Sequence, residues 1–422
     1  MSFRTRRREL LMGVAAAGCS GLAGCLSSVS GLDVGDTDDG DEDRTDRTLK
    51  LGIMQPLTGD LGSVGKPIRD AALLPITQVE DDIDLEIEHE VVDTETSAAT
   101  GVQRASQLVN AGYPMVNGPA ASDVALQATQ QVLIPHRVVS CSPSATTPTI
   151  TALNDAGLVF RTALSDSLQA VVLAEQATAD LGHDTAATMY VNNDYGWQLS
   201  QAFTQAFEAT HGGSVSVQVP INEESDSYAD ALERARADDP GLLIVIGYPE
   251  TGTQLFSDLG DDIGDVDVLV TDGLRDGGLH EEVDHSIDGI RGTAPLVGGP
   301  GEAFFSDLYQ ETYDAEPGIF TAHTYDSTAV LLLANAYAGQ NDGTAIRNAM
   351  QTVTNGPGEV IEPKTLADGL ELAAQGENIE YRGASSALSF DDNGDVMDAT
   401  FEYWEFDQDA EGGIAEIDRV TT

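Results

Sequence analysis

A regular alternation of short apolar segments with longer stretches of helical periodicity begins at residue 49 and constrains the fold more than any other feature of this chain. The apolar segments predict strands at 49–54, 85–92, 115–118, 138–141, 186–191, 215–219, 242–246 and 266–270. The stretches between them predict helices at 66–79, 98–111, 122–132, 196–211, 228–237 and 252–259. Strands separated by such helices pair in parallel and are covered on both faces, so the sequence predicts an α/β fold.

The turns that follow the predicted strands are the places to look for a binding site, because ligands of parallel sheets bind beyond the carboxyl ends of the strands. These turns are rich in Gly, Ser, Thr, Asp and Tyr, which present hydrogen-bonding groups from tight loops. They cover residues 55–65, 118–123, 142–148, 192–196, 247–252 and 271–276.

The strongly negative charge of the chain argues against a nucleic-acid partner and suggests a salt-rich environment. Its 422 residues carry 71 Asp and Glu against 20 Lys and Arg, a formal net charge of −51. Nucleic-acid binding needs a basic patch, and no cluster of Lys and Arg follows residue 8, so we expect no nucleic-acid partner. Only three of the basic residues are Lys. Such a composition is typical of haloarchaeal proteins in concentrated salt; a generally acidic mesophilic protein is the alternative.

Residues 1–24 are predicted to be a cleaved export signal. Four Arg precede an apolar stretch at 10–17, which is shorter than the roughly 20 residues that span a bilayer. The segment Thr5-Arg-Arg-Arg-Glu-Leu-Leu11 resembles the twin-arginine motif, and Leu22-Ala-Gly-Cys25 resembles a lipobox. The resemblance implies lipidation of Cys25 and anchoring to the outer face of the cell membrane. The alternative is that Cys25 merely ends the signal peptide.

Residues 25–48 and the small number of cysteines limit what the rest of the chain can form. Residues 25–48 are acidic and rich in turn-forming residues with no apolar period, which predicts a disordered tether. After Cys25 the chain contains only Cys141, which excludes an internal disulfide and a cysteine-ligated metal cluster.

Six motifs in order carry a resemblance to a known family. They are Ile53-Met-Gln-Pro-Leu-Thr-Gly-Asp-Leu-Gly-Ser-Val-Gly65, Val116-Asn-Gly-Pro-Ala-Ala-Ser122, Ser142-Pro-Ser-Ala-Thr-Thr-Pro148, Phe160-Arg-Thr162, Asn192-Asn-Asp-Tyr-Gly-Trp197 and Ser389-Phe-Asp-Asp-Asn-Gly-Asp395. From about residue 49 to 405 the chain resembles the branched-chain amino acid type of ABC-transporter substrate-binding protein.

This resemblance implies a two-lobed periplasmic-binding-protein type I fold with three hinge crossovers. The first lobe would comprise 49–163 and 296–385, and the second 164–295 and 386–422. The crossovers would lie near Thr162, Thr293 and Ala387. The implied function is capture of a small amino acid between the lobes by a monomer, without a cofactor, and delivery to the membrane subunits of an ABC permease.

The first lobe would supply hydroxyl groups for the carboxylate of the ligand. The resemblance places Ser122 and Thr146 in that role and assigns backbone contacts to Ser144. The structural alternatives are that Ser122 is only a helix N-cap and that the 142–148 turn is held by local side-chain bonds.

The second lobe would supply an acid and aromatic walls. Asp272 matches the acid that pairs with the ligand ammonium, and Tyr195 and Tyr248 match aromatic residues that face the cleft. From the 296–385 segment of the first lobe, Phe320 matches an apolar wall. The structural alternatives are that Asp272 only forms an Asp-Gly turn and that the aromatic side chains only pack against their neighbours. Val64 departs from the aromatic residue that some amino-acid binders carry, which leaves the ligand side chain open.

Candidate motifs for phosphate and metal binding do not have the residue spacing that these sites require. The Gly59 to Lys66 loop does not match a phosphate loop, and the two His of 280–285 are five residues apart rather than four. The acidic 391–395 segment imitates a calcium loop but lacks its Gly, so a turn between strands is the better interpretation. We therefore expect no enzyme and no metal. Alternative functions are a binding protein for an amide, urea or an organic or aromatic acid, and a ligand-sensing ectodomain.

Overall fold

A computed structural model describes residues 47–223, 225–260, 266–397 and 399–422. The predicted export signal, Cys25 and nearly all of the predicted tether lie outside these residues. Within the described ranges, no helix is long and apolar enough to cross a membrane.

The first of the two main sheets has five parallel strands in the order β2-β1-β3-β4-β5. Its strands are β1 (Thr48–Gln55), β2 (Glu86–Asp93), β3 (Met115–Asn117), β4 (Val139–Ser142) and β5 (Val159–Arg161). The connecting helices are α1 (Gly62–Val79), α2 (Ala98–Asn110) and α3 (Ser122–Ala128). The strand order reverses beside β1, so the carboxyl ends of β1 and β3 open a crevice for a ligand.

The second sheet has seven strands in the order β14-β13-β10-β9-β8-β6-β7. Its parallel strands are β6 (Thr185–Val191), β7 (Ser214–Ile221), β8 (Leu242–Ile246), β9 (Asp267–Val270) and β10 (Arg291–Pro295). The strands β13 (Thr400–Phe406) and β14 (Ile414–Thr421) extend it in antiparallel fashion. Its helices are α4 (Asp166–Glu175), α5 (Asp194–Ala209), α6 (Ala229–Arg236), α7 (Pro249–Leu259) and α8 (Leu279–Glu282).

The first sheet with its helices is called the first unit, and the second sheet with its helices the second unit. Between β10 and β13 the chain returns to the first unit. It forms α9 (Glu302–Tyr313), α10 (Thr321–Ala338), α11 (Gly343–Asn355) and α12 (Leu366–Ala374), with a small parallel pair of β11 (Glu359–Ile361) and β12 (Ile379–Tyr381). Nearly all of α10 is buried, where it packs between α1 and α11. A helix without a solvent-facing side shows no amphipathic period, which is why sequence periodicity does not reveal α10.

Capping residues and prolines in the sequence mark where helices begin. Asn193 caps α5 by accepting a hydrogen bond from the backbone N–H of Gly196 at 3.0 Å. Pro249 opens α7 at a position where its missing N–H costs no helical bond. These starts lie two and three residues before the predicted starts at 196 and 252, because capping residues precede the apolar period.

The predicted architecture of parallel sheets flanked by helices is confirmed. Each sheet has its own hydrophobic core: Phe305 and Tyr325 belong to the first, and Phe203 and Trp404 to the second. Residues 386–399, predicted for the second lobe, contribute buried side chains such as Phe390 to the first core. The exact lobe boundaries and the three crossover positions stay predictions.

Candidate functional site

A cavity lies between the carboxyl ends of the two sheets. It measures about 450 Å³ including its opening to solvent. All seven residues predicted for the ligand site line it, together with apolar and small residues. The described residues that line it are Pro56, Leu61, Val64, Ile68, Ala120, Ala121, Ser122, Ser144, Thr146, Tyr195, Tyr248, Asp272, Gly273, Ile319 and Phe320.

The first unit contributes a wall of hydroxyl groups. Ser122 is the first residue of α3, with Ala121 in the capping position, so the alternative of Ser122 as the N-cap is wrong. Its Oγ accepts a hydrogen bond from the backbone N–H of Thr147 at 3.4 Å. Ser144 Oγ donates to the Ala120 carbonyl at 3.1 Å. Thr146 is buried and lines the cavity, and its hydroxyl lies beside the carboxyl group of Asp166 and lowers the pKa of that group by hydrogen bonding.

Arg161 holds the loop that presents Thr146. Its fully buried guanidinium donates from one terminal nitrogen to the carbonyls of Ala145, Thr146 and Thr147, at 3.3, 2.9 and 3.0 Å. Its Nε and second terminal nitrogen bind the two carboxylate oxygens of Asp395 at 2.6 and 3.0 Å. Sequence analysis did not assign this positioning role. The available signal was the position of Arg161 in an apolar strand, because a charged side chain is rarely buried without a partner.

The second unit contributes two stacked rings and an acid. The rings of Tyr195 and Tyr248 lie 5.5 Å apart at 12°. The Tyr195 hydroxyl lies 2.7 Å from Thr271 Oγ1 and 3.2 Å from Asp272 Oδ1. A side chain at Gly273 would come within 2.3 Å of a backbone carbonyl, so this turn requires glycine. Asp272 therefore does lie in an Asp-Gly turn, and that turn brings it to the cavity.

Two buried acids belong to the second unit, and of the two Asp272 lines the cavity. Burial raises the pKa of Asp272 to about 6. Asp166, the first residue of α4, is also fully buried, and burial followed by the negative charge of Asp272 raises its pKa well above the ordinary value. In the part of the chain that the structure describes, no Lys, Arg or His side chain lines the cavity. The site therefore favours a ligand with a positive group or with hydrogen-bond donors.

Sequence analysis missed Asp166 because its surroundings are those of an ordinary helix start. It follows Ser165, whose Oγ accepts a hydrogen bond from the backbone N–H of Ser167 at 3.4 Å and so caps α4. An acid in the first turn of a helix is favoured by the helix dipole alone. Nothing in the local sequence distinguishes Asp166 from such a residue.

Hydrogen bonds across the cleft join the two units. Thr251 Oγ1 donates to Asp60 Oδ2 at 2.7 Å, and both groups are buried. Thr149 donates from its hydroxyl and its backbone N–H to Gln198 Oε1, at 2.7 and 3.1 Å. The units therefore contact each other directly on the edges of the cavity, as lobes closed over a ligand site do.

The candidate metal segments behave as structural turns. Asp391 Oδ1 accepts hydrogen bonds from the backbone N–H groups of Asn393 and Asp395, at 2.8 and 3.0 Å, and Asp395 is paired with Arg161. The 391–395 segment is thus the connecting turn that sequence analysis favoured. Among the described residues, no group of three or more His, Cys, Asp or Glu is placed to hold a metal ion.

Two α/β units, each with its carboxyl-end loops on a shared cavity, define the class of two-lobed solute-binding proteins. A profile of the family described as "Periplasmic binding protein" matches residues 48–366. The chain belongs to this periplasmic binding protein family. Relatives in the family are binding proteins rather than enzymes, which confirms the expectation that this protein is not an enzyme.

Individual relatives differ in what they bind. The chain is 27% identical over 308 residues to the chemotactic signal transduction system substrate-binding protein BasB of Halobacterium salinarum, covering 71% of this chain and 72% of BasB. The leucine-binding protein LivK of Thermotoga maritima superimposes with a TM-score of 0.75 at 20% identity, covering 88% of this chain and 98% of LivK. A Rhodopseudomonas palustris ABC-transporter solute-binding protein in complex with benzoate superimposes with a TM-score of 0.71 at 16% identity. The match covers 88% of this chain and 96% of that protein. These structures establish the two-lobed fold.

Proposed function

We propose that the protein is the extracytoplasmic binding component of an ABC importer and captures a small amino acid of the branched-chain type in the cavity between its lobes. The observation that carries this proposal is the distribution of polar groups on the cavity wall. Buried acid lies on one side, at Asp272, and hydroxyl groups lie on the other, at Ser122 and Thr146. A zwitterion matches both sides.

The charges favour an amino acid over an organic acid. A ligand with a carboxylate and no ammonium would enter a cavity that already holds the negative potential of Asp272 and its neighbour Asp166, with no basic side chain on the described lining. Removing such a ligand from water without a counter-charge costs several kcal/mol. An ammonium group placed at Asp272 reverses the sign of that interaction, and the hydroxyl groups of Ser122 and Thr146 would donate to the carboxylate from the opposite wall.

The apolar part of the cavity suits an aliphatic side chain. Leu61, Val64, Ile68, Ile319 and Phe320 line it from the first unit and its return segment. A branched aliphatic group would bury its surface against these side chains, at about 25 cal/mol per Å² of area removed from water. Small rigid amides and urea would leave this surface without contacts.

We propose that the protein works in a closed form at the outer face of the membrane, to which a lipid anchors it. Both lobes contact the ligand only when the cleft is closed, so the ligand stabilises the closed form that a permease can recognise. Twin-arginine export, lipidation of Cys25, a tether over 25–48 and a monomeric state complete the proposal. BasB, named for chemotactic signal transduction, favours a second candidate role as the ligand sensor of a transducer.

Calorimetry with three matched probes tests the ligand class. L-Leucine carries both charged groups, 3-methylbutylamine only the ammonium, and 4-methylpentanoate only the carboxylate. We expect L-leucine to bind the wild type most tightly and 4-methylpentanoate to bind most weakly. Asp272→Asn preserves the size of the side chain but removes its charge, and should weaken L-leucine binding by about 100-fold, or about 2.7 kcal/mol.

Two further measurements complete the design. A thermal-shift screen of the proteinogenic amino acids in molar KCl ranks the aliphatic side chains before calorimetry. Asp276→Asn, at a half-buried position of the loop that follows Asp272 and outside the cavity lining, is the matched control and should leave affinity unchanged. Tight binding of 4-methylpentanoate or benzoate, with every amino acid failing, would overturn the proposed ligand class.

A further inference from the structure

Two sets of hydrogen bonds that join the units lie beside the cavity and not on its wall. Thr251 Oγ1, in the first turn of α7, donates to Asp60 Oδ2 in the loop between β1 and α1 at 2.7 Å. Elsewhere along the cleft, Gln198 Oε1 of α5 accepts from the hydroxyl and from the backbone N–H of Thr149, at 2.7 and 3.1 Å. None of these four residues is among the described residues that line the cavity. The bonds therefore join the units without contact to a ligand in the cavity.

The bond between Thr251 and Asp60 is buried between the units. Thr251 is 2% exposed and Asp60 is 5% exposed. The two residues belong to different units, so separating the lobes would expose the atoms that meet in this bond to water. Closure removes water from the Asp60 carboxylate, and the hydrogen bond donated by the Thr251 hydroxyl compensates for that loss. This bond therefore stabilises the closed arrangement and is absent from an open one.

The amide of Gln198 is oriented for its contact with the first unit. Its Nε2 donates within α5 to Asp194 Oδ1 at 3.4 Å, which leaves Oε1 to face Thr149. An amide oxygen has two lone pairs, so it can accept both hydrogen bonds that Thr149 donates. Both side chains are half-buried, so water can partly replace this contact when the lobes separate. It contributes less to closure than the buried bond to Asp60, because neither group is charged.

We propose that Thr251 with Asp60 and Gln198 with Thr149 form two closure latches, which determine affinity for every ligand by the same factor without touching any of them. The ligand-free protein is then mostly open with its latches broken, and the ligand-bound protein is closed with its latches made. The free energy of the latches adds in full to that of the ligand contacts. This inference rests on the proposed function only in taking the ligand-bound form to be closed, and not on the ligand class.

The latches also determine which rate constant changes when one of them is lost. The ligand meets the open form, in which the latch bonds are absent, so the association rate constant should stay unchanged. Release of the ligand requires the lobes to separate and the latch bonds to break. Loss of a latch should therefore raise the dissociation rate constant by the factor by which affinity falls. A residue on the cavity wall changes the dissociation rate by a factor that depends on the ligand.

Thr251→Val tests the buried latch, because Val keeps the shape of Thr and removes the hydroxyl. We expect binding to weaken by about tenfold or more, and equally for L-leucine and L-valine. Thr251→Ser keeps the hydroxyl and should bind like the wild type. Thr253→Val is the matched control on the same helix, since the Thr253 hydroxyl donates within the second unit to the Pro249 carbonyl and Glu282 Oε2, at 3.1 and 2.8 Å. It should leave affinity unchanged.

Gln198→Met tests the second latch and should weaken binding of both amino acids by about threefold. Thr149→Val combined with Gln198→Met should weaken binding no further than Gln198→Met alone, because the single variant has already lost the shared acceptor. Gln201→Met is the matched control on α5. The Gln201 amide donates to Gln218 Oε1 at 2.6 Å, within the second unit, so this variant should bind like the wild type.

Calorimetry and stopped-flow kinetics in molar KCl measure affinities and rate constants, and melting of the ligand-free variants checks the fold. The Tm of ligand-free Thr251→Val should equal that of the wild type, since the latch is broken in the open form; a lower Tm would show that the bond supports folding instead. Unchanged affinity in Thr251→Val, or factors for L-leucine and L-valine that differ by more than about twofold, would overturn the latches. If every amino acid fails and benzoate or 4-methylpentanoate binds, the proposed ligand class is refuted, and the same variants measured with that ligand decide the latches.

Discussion

Replacement of Arg161 by Met tests whether one buried side chain sets the geometry of the ligand loop. The guanidinium is fully buried and binds both oxygens of Asp395, at 2.6 and 3.0 Å, and three consecutive carbonyls of the 145–147 loop. Met fills a similar stem volume but donates no hydrogen bond. The substitution leaves the Asp395 carboxylate, whose side chain is only 16% exposed, without its cation.

Removing one partner of a buried ion pair typically costs about 3–5 kcal/mol. We expect about 4 kcal/mol for Arg161→Met, which for a unit of this size corresponds to a fall in Tm of roughly 8–16 °C. The double variant Arg161→Met/Asp395→Leu should recover part of this loss, because it no longer buries an unpaired charge. L-Leucine affinity should fall by about tenfold in the single variant, since the loop that carries Thr146 loses its anchor.

Thermal unfolding followed by circular dichroism in 3 M KCl measures the stability, and calorimetry measures the affinity. Arg382→Met is the matched control: its partner Glu380 is 2.9 Å away, but both side chains are partly exposed, so a loss of under about 1 kcal/mol is expected. If Arg161→Met melts within about 3 °C of the wild type and binds L-leucine equally well, the guanidinium does not hold the loop.

Three further outcomes follow from the net charge, from one buried acid and from the proposed lipid anchor. With a net charge of −51, lowering KCl from about 3 M to about 0.1 M lengthens the screening distance from under 3 Å to about 10 Å, and a circular-dichroism titration should show marked loss of thermal stability; a flat profile would contradict this. Burial raises the pKa of Asp326 to about 6, so the folded protein binds its proton more tightly than the unfolded chain. Stability from this group should be greatest below the unfolded pKa of 3.8 and be lost, about 3 kcal/mol in total, as pH rises through about 6; roughly 1.4 kcal/mol of this separates pH 5 from pH 8. Melting curves at pH 5 and 8 in 3 M KCl should therefore show the higher Tm at pH 5, and equal or reversed values would refute this sign. Finally, Cys25→Ser should move the exported protein from the membrane to the medium in cell fractionation, whereas equal membrane retention would argue against a lipid anchor.

The sequence alone determined the α/β alternation and the part of the fold that carries the site. A strand predicted at 85–92 is observed at Glu86–Asp93, and one predicted at 242–246 is observed at Leu242–Ile246. Period and strand length are local properties that each segment shows by itself. Parallel pairing brings the loops after the strands of each sheet to one edge. The resemblance to a binding-protein family then implied that Ser122 and Asp272 face a common cleft, and both line the cavity.

The tertiary structure decided what local pattern does not encode. Arg161 and Asp395 are 234 residues apart, and their ion pair exists only because β5 and the 391–395 turn meet in the fold. Asp166 has the sequence surroundings of a helix start, and α10 has no exposed face to give it a period. A local pattern reports how a segment faces water, whereas a buried pair or an all-round buried helix depends on which distant segment arrives beside it. Secondary structure and the edge that binds could thus be predicted from the sequence, while the charges that meet at that edge were settled by packing.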